Sequence, residues 1–158
     1  MSVKYILYNP LSCNGKGTEL AQKLTEIYKD DELKYCNMTQ ISGYGTFFDS
    51  ISSESDIVLC GGDGTINRFI NDSDGYPYEN PLYYYGTGSG NDFLRDLGME
   101  QGCEPVRINE YVRNLPIVTV NGKSSRFINA IGYGIDGYCC EKGDELREKA
   151  DKLYIYCG

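Results

Sequence analysis

The chain has 158 residues, a net charge of −8, 41% hydrophobic residues, seven cysteines and no histidine. The acidic balance offers no basic stripe for nucleic acid, and no segment approaches the roughly 20 apolar residues that span a membrane. Without histidine, Ser-His-Asp and Cys-His hydrolysis are excluded and any general base is a carboxylate, a lysine or a cysteine. An odd cysteine count with no CxxC and no secretory pattern points to reduced thiols in a soluble, cytoplasmic protein, the adjacent Cys139-Cys140 included.

The first predicted strand is Val3–Tyr8, ending at Asn9-Pro10. A linker over 11–17 carries Ser12, Asn14, Gly15, Lys16 and Gly17, and a helix is expected over 18–29 with Leu20, Leu24 and Ile27 on one face. Gly15-Lys16 invites a P-loop reading, but that motif needs glycine where Pro10 stands and Ser or Thr where Gly17 stands. Lys16 keeps two readings, a mobile charge that reaches a phosphate or a solvated surface lysine. A second strand is expected over 33–38, followed by Thr39, a polar turn and a short helix holding Phe47, Phe48 and Ile51.

The third strand, 56–60, breaks into Gly61-Gly62-Asp63-Gly64, and Thr65, Ile66, Phe69 and Ile70 then resume at helical spacing to about Asn71. Three glycines in four positions remove every Cβ that would hold a ligand off the backbone. The helix start adds N–H groups and the positive end of a dipole, so the turn favours phosphate. Asp63 is an acid where phosphate would come, which implies a metal or a transferable proton. After a surface loop over 72–81, the fourth strand, 82–85, with its Tyr83-Tyr84-Tyr85 run, leads into a second glycine turn, Gly86-Thr87-Gly88-Ser89-Gly90-Asn91-Asp92. A helix follows over 91–97. The glycine spacing fails the GxGxxG dinucleotide pattern. Asn91 and Asp92 serve as helix caps, as ligand contacts, or as both.

Four strand–helix alternations with short βα turns predict an α/β fold, a parallel sheet with helices on both faces. Ligands of such sheets sit at the carboxyl ends of the strands. The segments at 9–17, Thr39, 61–65 and 86–92 are therefore expected to converge on one edge. The texture changes after 102. Strands over 106–108, 116–121 and 125–131, with Asn121-Gly122 as a hairpin turn, open an antiparallel unit. Gly132, Gly134 and Gly137 suit strand bends, Asp136 is a further candidate residue, and 141–153 suits an exposed helix. The expected division is 1–102 for nucleotide binding and 103–158 for a partial β-rich domain that stops short of a closed sandwich.

Four stretches carry a resemblance: Asn9-Pro10-x-Ser12; Gly61-Gly62-Asp63-Gly64-Thr65-Ile66-Asn67; Gly88-Ser89-Gly90-Asn91-Asp92-Phe93-x-Arg95; and Phe127-x-Asn129 with Gly134-Ile135-Asp136. In this order, over essentially the whole chain, they resemble the diacylglycerol kinase catalytic-domain family, which includes sphingosine kinases and bacterial lipid kinases. The GGDGT element is shared with NAD kinases, whereas the GSGNDF element is specific to the lipid kinases.

The resemblance implies a two-domain, ATP- and Mg²⁺-dependent lipid kinase whose second domain, a β sandwich, shapes the lipid site in the cleft. Asn9, Ser12, Lys16, Thr39, Gly61, Gly62, Asp63, Gly64, Thr65, Asn67, Gly88, Ser89, Gly90, Asn91 and Asp92 would line the ATP site. Asp63 would organise the metal-bound phosphates or accept the proton of the substrate hydroxyl. A diacylglycerol or sphingoid base met at a membrane surface is the implied acceptor, and a homodimer stays open. An NAD-kinase-like enzyme and a non-catalytic nucleotide-binding fragment are the alternatives. Cys13, Arg68, Gly86 and Tyr44 depart from the family's usual glycine, glutamate, proline and acid at their positions. The family's Asp-Gly-Glu region would fall beyond Gly158.

Overall fold

The computed structural model describes residues 2–88, 90–100 and 102–131, with Tyr138, Lys142, Glu145 and Leu146. The elements run β1 (Val3–Tyr8), α1 (Ser12–Gly15), α2 (Gly17–Gln22), α3 (Leu24–Ile27), β2 (Glu32–Asn37), a 3₁₀ turn (Met38–Gln40), α4 (Tyr44–Asp49), β3 (Asp56–Gly61) and α5 (Asp63–Asp72). They continue with β4 (Leu82–Gly86), α6 (Asp92–Asp96), β5 (Val106–Arg107), α7 (Asn109–Val112), β6 (Ile117–Val120) and β7 (Lys123–Arg126).

Five strands form one sheet in the order β2-β1-β3-β4-β5. The first four are parallel, with Tyr8 opposite Asn37 and Cys60, and Gly61 opposite Gly86. Side chains alternate across the sheet and both faces are covered, which is why β3 is apolar from Ile57 to Cys60. Ile57 and Leu59 join Leu7, Leu82 and Tyr84 under α4, α5 and α6, where Tyr44, Phe48, Ile66, Phe69, Phe93 and Leu94 pack. Val58 and Cys60 face the other way, with Ile6, against Ala21 and Leu24 of α2 and α3. Helices thus cover both faces, as expected of the α/β class.

Three details differ from the sequence reading. The helix expected over 18–29 is divided at Lys23, where i→i−3 bonds from Lys23 to Leu20 and from Glu26 to Lys23 tighten the backbone without reversing it. The linker over 11–17 contains a turn in which Cys13 (φ 54°) and Asn14 (φ 58°) are left-handed. The segment expected to open the second unit at 106–108 instead pairs antiparallel with β4, and Ile108 is fully buried in the first core.

A separate hairpin, β6–β7, turns at Asn121 (φ 51°) and Gly122 (φ 77°), a type I′ geometry. That turn pairs Val120 directly with Lys123, so the second strand starts before the expected 125. The hairpin docks on the last turn of α5 through Asn71, whose Oδ1 accepts the Arg126 N–H (2.9 Å) and whose Nδ2 donates to the Arg126 carbonyl (3.0 Å). Gly132, Gly134, Asp136, Gly137, Cys139, Cys140, Cys157 and most of the helix expected over 141–153 lie outside the described residues; Lys142, Glu145 and Leu146 are helical. No helix among the described residues is long and apolar enough to cross a membrane.

Candidate functional site

The chain passes from β1 outward to β2 and then back to β3 on the other side of β1. Such a switch point leaves a crevice outside the carboxyl ends of the central strands. The turns after β1, β3 and β4 meet there. Thr87 is the common contact: its N–H donates to the Gly61 carbonyl (2.8 Å), and its carbonyl accepts the Cys13 thiol (3.2 Å). Tyr84, buried beneath, donates its hydroxyl to the same Gly61 carbonyl (3.0 Å). Burial pushes the Tyr84 phenol far above its ordinary range and the Cys60 thiol up to about 12, so both stay protonated and neither is a nucleophile.

The two glycine turns touch at Gly62 and Gly88. A Cβ on Gly88 would stand 2.7 Å from the Gly62 Cα, and one on Gly62 would stand 3.3 Å from the Gly88 Cα. Backbone meets backbone here, which only a pair of glycines allows. Gly62 is the N-cap residue of α5 and supplies no side-chain cap, so the Asp63 and Gly64 N–H groups open the helix without intrahelical acceptors. At Gly64 an added Cβ would meet nothing within 4 Å. The carboxylate of Asp63 reaches across to α6, where it accepts the N–H groups of Asp92 (2.8 Å) and Phe93 (3.2 Å). Gly90 lies beside it, its built Cβ position 3.8 Å from Asp63 Oδ2.

The remaining residues named from the sequence fall at or near this edge with different partners. Asn9 and Ser12 close a turn on each other: Asn9 Oδ1 accepts the Leu11 N–H (3.0 Å), and the Ser12 hydroxyl donates to the Asn9 carbonyl (2.7 Å). Lys16 is exposed, with no ion-pair partner among the described residues. Thr39 sits in the 3₁₀ turn after β2, its N–H and hydroxyl both on Asn37 Oδ1. Thr65 is buried, its N–H on the Gly62 carbonyl, and Asn67 is exposed one turn along α5. Asn91 is buried and left-handed (φ 49°), with Nδ2 on the Gly88 carbonyl (2.6 Å) and Oδ1 accepting from Tyr84 (3.4 Å). Its side chain holds the second turn together from below. Asp92 donates its N–H to Asp63, and its carboxylate accepts from the Arg95 guanidinium (2.8 Å). Ser89 lies outside the described residues.

The sequence did not reveal the second wall of the site. A crevice of about 390 Å³ separates Asp63, Gly64 and Asn67 from Ser125, Phe127 and Asn129. Asn129 Oδ1 is buried there without a hydrogen-bond partner among the described residues. The one signal for this wall was the Phe127-x-Asn129 stretch, which carries no period of its own.

The glycine contact and the uncapped α5 fit a polyphosphate, because both present bare backbone at a helix N-terminus. No group of three or more His, Cys, Asp or Glu among the described residues is poised for a metal. Mg²⁺ carried by phosphates asks less, one or two carboxylates, and Asp63 is in place to be one of them. The sequence pattern of the diacylglycerol kinase catalytic domain matches residues 4–120, from β1 through the first strand of the hairpin. No curated protein matches the chain. The matched span holds both glycine turns, their point of contact and the acid between them, and the chain belongs to the diacylglycerol kinase catalytic domain family.

Proposed function

We propose that this chain carries the nucleotide-binding part of an ATP-dependent lipid kinase, which transfers the γ-phosphoryl group of ATP to a lipid hydroxyl. One observation carries the reading: α5 begins uncapped between two glycine turns that touch through bare backbone. Family membership supports kinase chemistry in outline. Two units are proposed, with the expected division of 1–102 and 103–158 moved past Ile108, which is buried in the first core.

Phosphoryl transfer needs positioning and charge neutralisation more than covalent help. The Asp63 and Gly64 N–H groups hold phosphate oxygens at the α5 N-terminus, and Lys16 is free to add a positive charge from the first turn. Bound Mg²⁺ would neutralise charge on the phosphates. Asp63 organises rather than abstracts in this reading, since both its oxygens already accept backbone N–H groups from α6. Its carboxylate joins the two turns and leaves outer lone pairs toward the crevice. The acceptor hydroxyl enters across that crevice, between Asp63 and the wall at 127–130.

The test is incubation of the full-length protein with Mg²⁺ and γ-labelled ATP over diacylglycerol and sphingoid-base micelles. The expected result is label in the organic extract. Label in a soluble dinucleotide would instead make the protein NAD-kinase-like, and ATP binding with no labelled product would make it a nucleotide-binding module.

A further inference from the structure

The strand that leads into the outer wall of the crevice is anchored on α5, whose first turns form the inner wall. Asn71 lies two turns along α5 from Asp63, about 12 Å at 1.5 Å per residue. Its side-chain amide takes both backbone groups of Arg126, the N–H at 2.9 Å and the carbonyl at 3.0 Å, as a neighbouring strand would. The same Nδ2 also donates to the carbonyl of Asn67, which lines the crevice (2.9 Å). The Arg126 guanidinium adds an ion pair to Asp74 (2.9 Å) just past α5 and a bond to the Leu115 carbonyl (3.4 Å). Residues 127–130 follow directly and form the wall opposite Asp63.

We propose that Asn71 is a positioning residue that sets the width of the acceptor crevice. One rigid helix carries Asp63 at its head and the anchor of the opposite wall in its last turn, so α5 acts as the spacer between phosphoryl donor and acceptor. An anchor on backbone groups fixes the strand whatever side chains it bears, and an amide is the side chain that pairs with an N–H and a C=O together. The proposal rests on the lipid-kinase reading for its kinetic consequence but not for its structural one.

Asn71→Ala in the full-length protein tests both. The expected result is a lipid KM raised at least fivefold, with ATP KM and kcat within twofold of wild type. Asn71→Asp keeps the acceptor for the Arg126 N–H but turns a carboxylate oxygen onto the carbonyls of Arg126 and Asn67. It raises the lipid KM in the same direction and stands in where the alanine variant does not fold. An unchanged lipid KM, or equal rises in lipid and ATP KM, overturns the proposal. Amide hydrogen exchange separates this outcome from failure of the kinase reading. Where wild type labels no lipid, exchange at 123–130 at least tenfold faster in the variant, with 56–61 unchanged, still supports the anchor. Unaltered exchange at 123–130 overturns it.

Discussion

Asp63, at the head of α5, accepts the backbone N–H of Asp92, at the head of α6, across 2.8 Å. The acid expected at the phosphate also caps the neighbouring helix, so loss of its charge acts on two things at once. In Asp63→Asn one carboxylate oxygen becomes an amide donor facing the N–H of Asp92 or Phe93. The expected cost is about 1 kcal/mol of stability, the size of a lost helix cap. Activity is expected to fall by about two orders of magnitude or more. Asp63→Ser separates the roles: urea midpoints should recover toward wild type while labelled-lipid production stays low. Recovery of both would reassign Asp63 to capping alone.

Gly64 and Gly88 are expected to answer alanine in opposite ways. At Gly64 the structure has open space and an ordinary helical backbone, so alanine should stabilise the free protein by about 0.5–1 kcal/mol. It should also place a methyl group where phosphate oxygens approach, weakening ATP binding about tenfold or more by calorimetry. Gly88→Ala drives its methyl into the Gly62 backbone at 2.7 Å and should lower both stability and ATP affinity. A Gly64→Ala protein that binds ATP as well as wild type would remove the α5 N-terminus from the phosphate site.

The parts of this fold that were legible in the sequence are those with a local period. The apolar runs ending at Tyr8, Cys60 and Tyr85, each followed by glycine or Asn-Pro, gave three of the parallel strands and the turns at their carboxyl ends. Asn121-Gly122 gave the hairpin, because two consecutive positive φ values select that pair. Val106–Arg107 was misplaced because two residues have no period, and their pairing with Tyr83 and Tyr84 is a long-range choice. The Asp63–Asp92 and Asn71–Arg126 links were illegible for the same reason: each joins a side chain to a backbone group 29 or 55 residues away.

Cys13 is a residue the sequence could not have placed. It is left-handed (φ 54°), a region that disfavours a Cβ, and it stands where the resemblance has glycine. Its thiol donates to the Thr87 carbonyl, a weak bond. Cys13→Gly should relieve about 1 kcal/mol of backbone strain, less what the thiol contact contributes. A rise of a few degrees in Tm is expected, with ATP affinity within threefold of wild type. A fall in Tm would show that the thiol–Thr87 contact, not the backbone, decides the conformation of this turn.

At the opposite edge of the sheet, Lys4 is buried between Asp56 and Asp31, with its ammonium 4.6 Å from the Tyr28 ring centre. Burial pulls its pKa down, but the hydrogen bond and charge of Asp56, with those of Asp31, outweigh this and leave it above the ordinary 10.5. Asp31 is held below 3.8, first by the Ser2 N–H, then by the Ser2 hydroxyl, with Lys4 adding to both. The signs give a window. A raised lysine stabilises fully below pH 10.5 and stops as pH rises through its higher folded value; a depressed carboxylate stabilises above 3.8 and stops as pH falls through its lower one. Lys4→Met should therefore cost about 2 kcal/mol, below the 3–5 of a fully buried broken pair because Asp31 stays open to water. Urea midpoints measured from pH 5 to 11 should show a constant gap between wild type and variant up to about pH 10, closing above 10.5. A gap that closes already at neutral pH would mean that Lys4 folds uncharged and that the Asp56 pairing is not what holds β1 to β3 at this end.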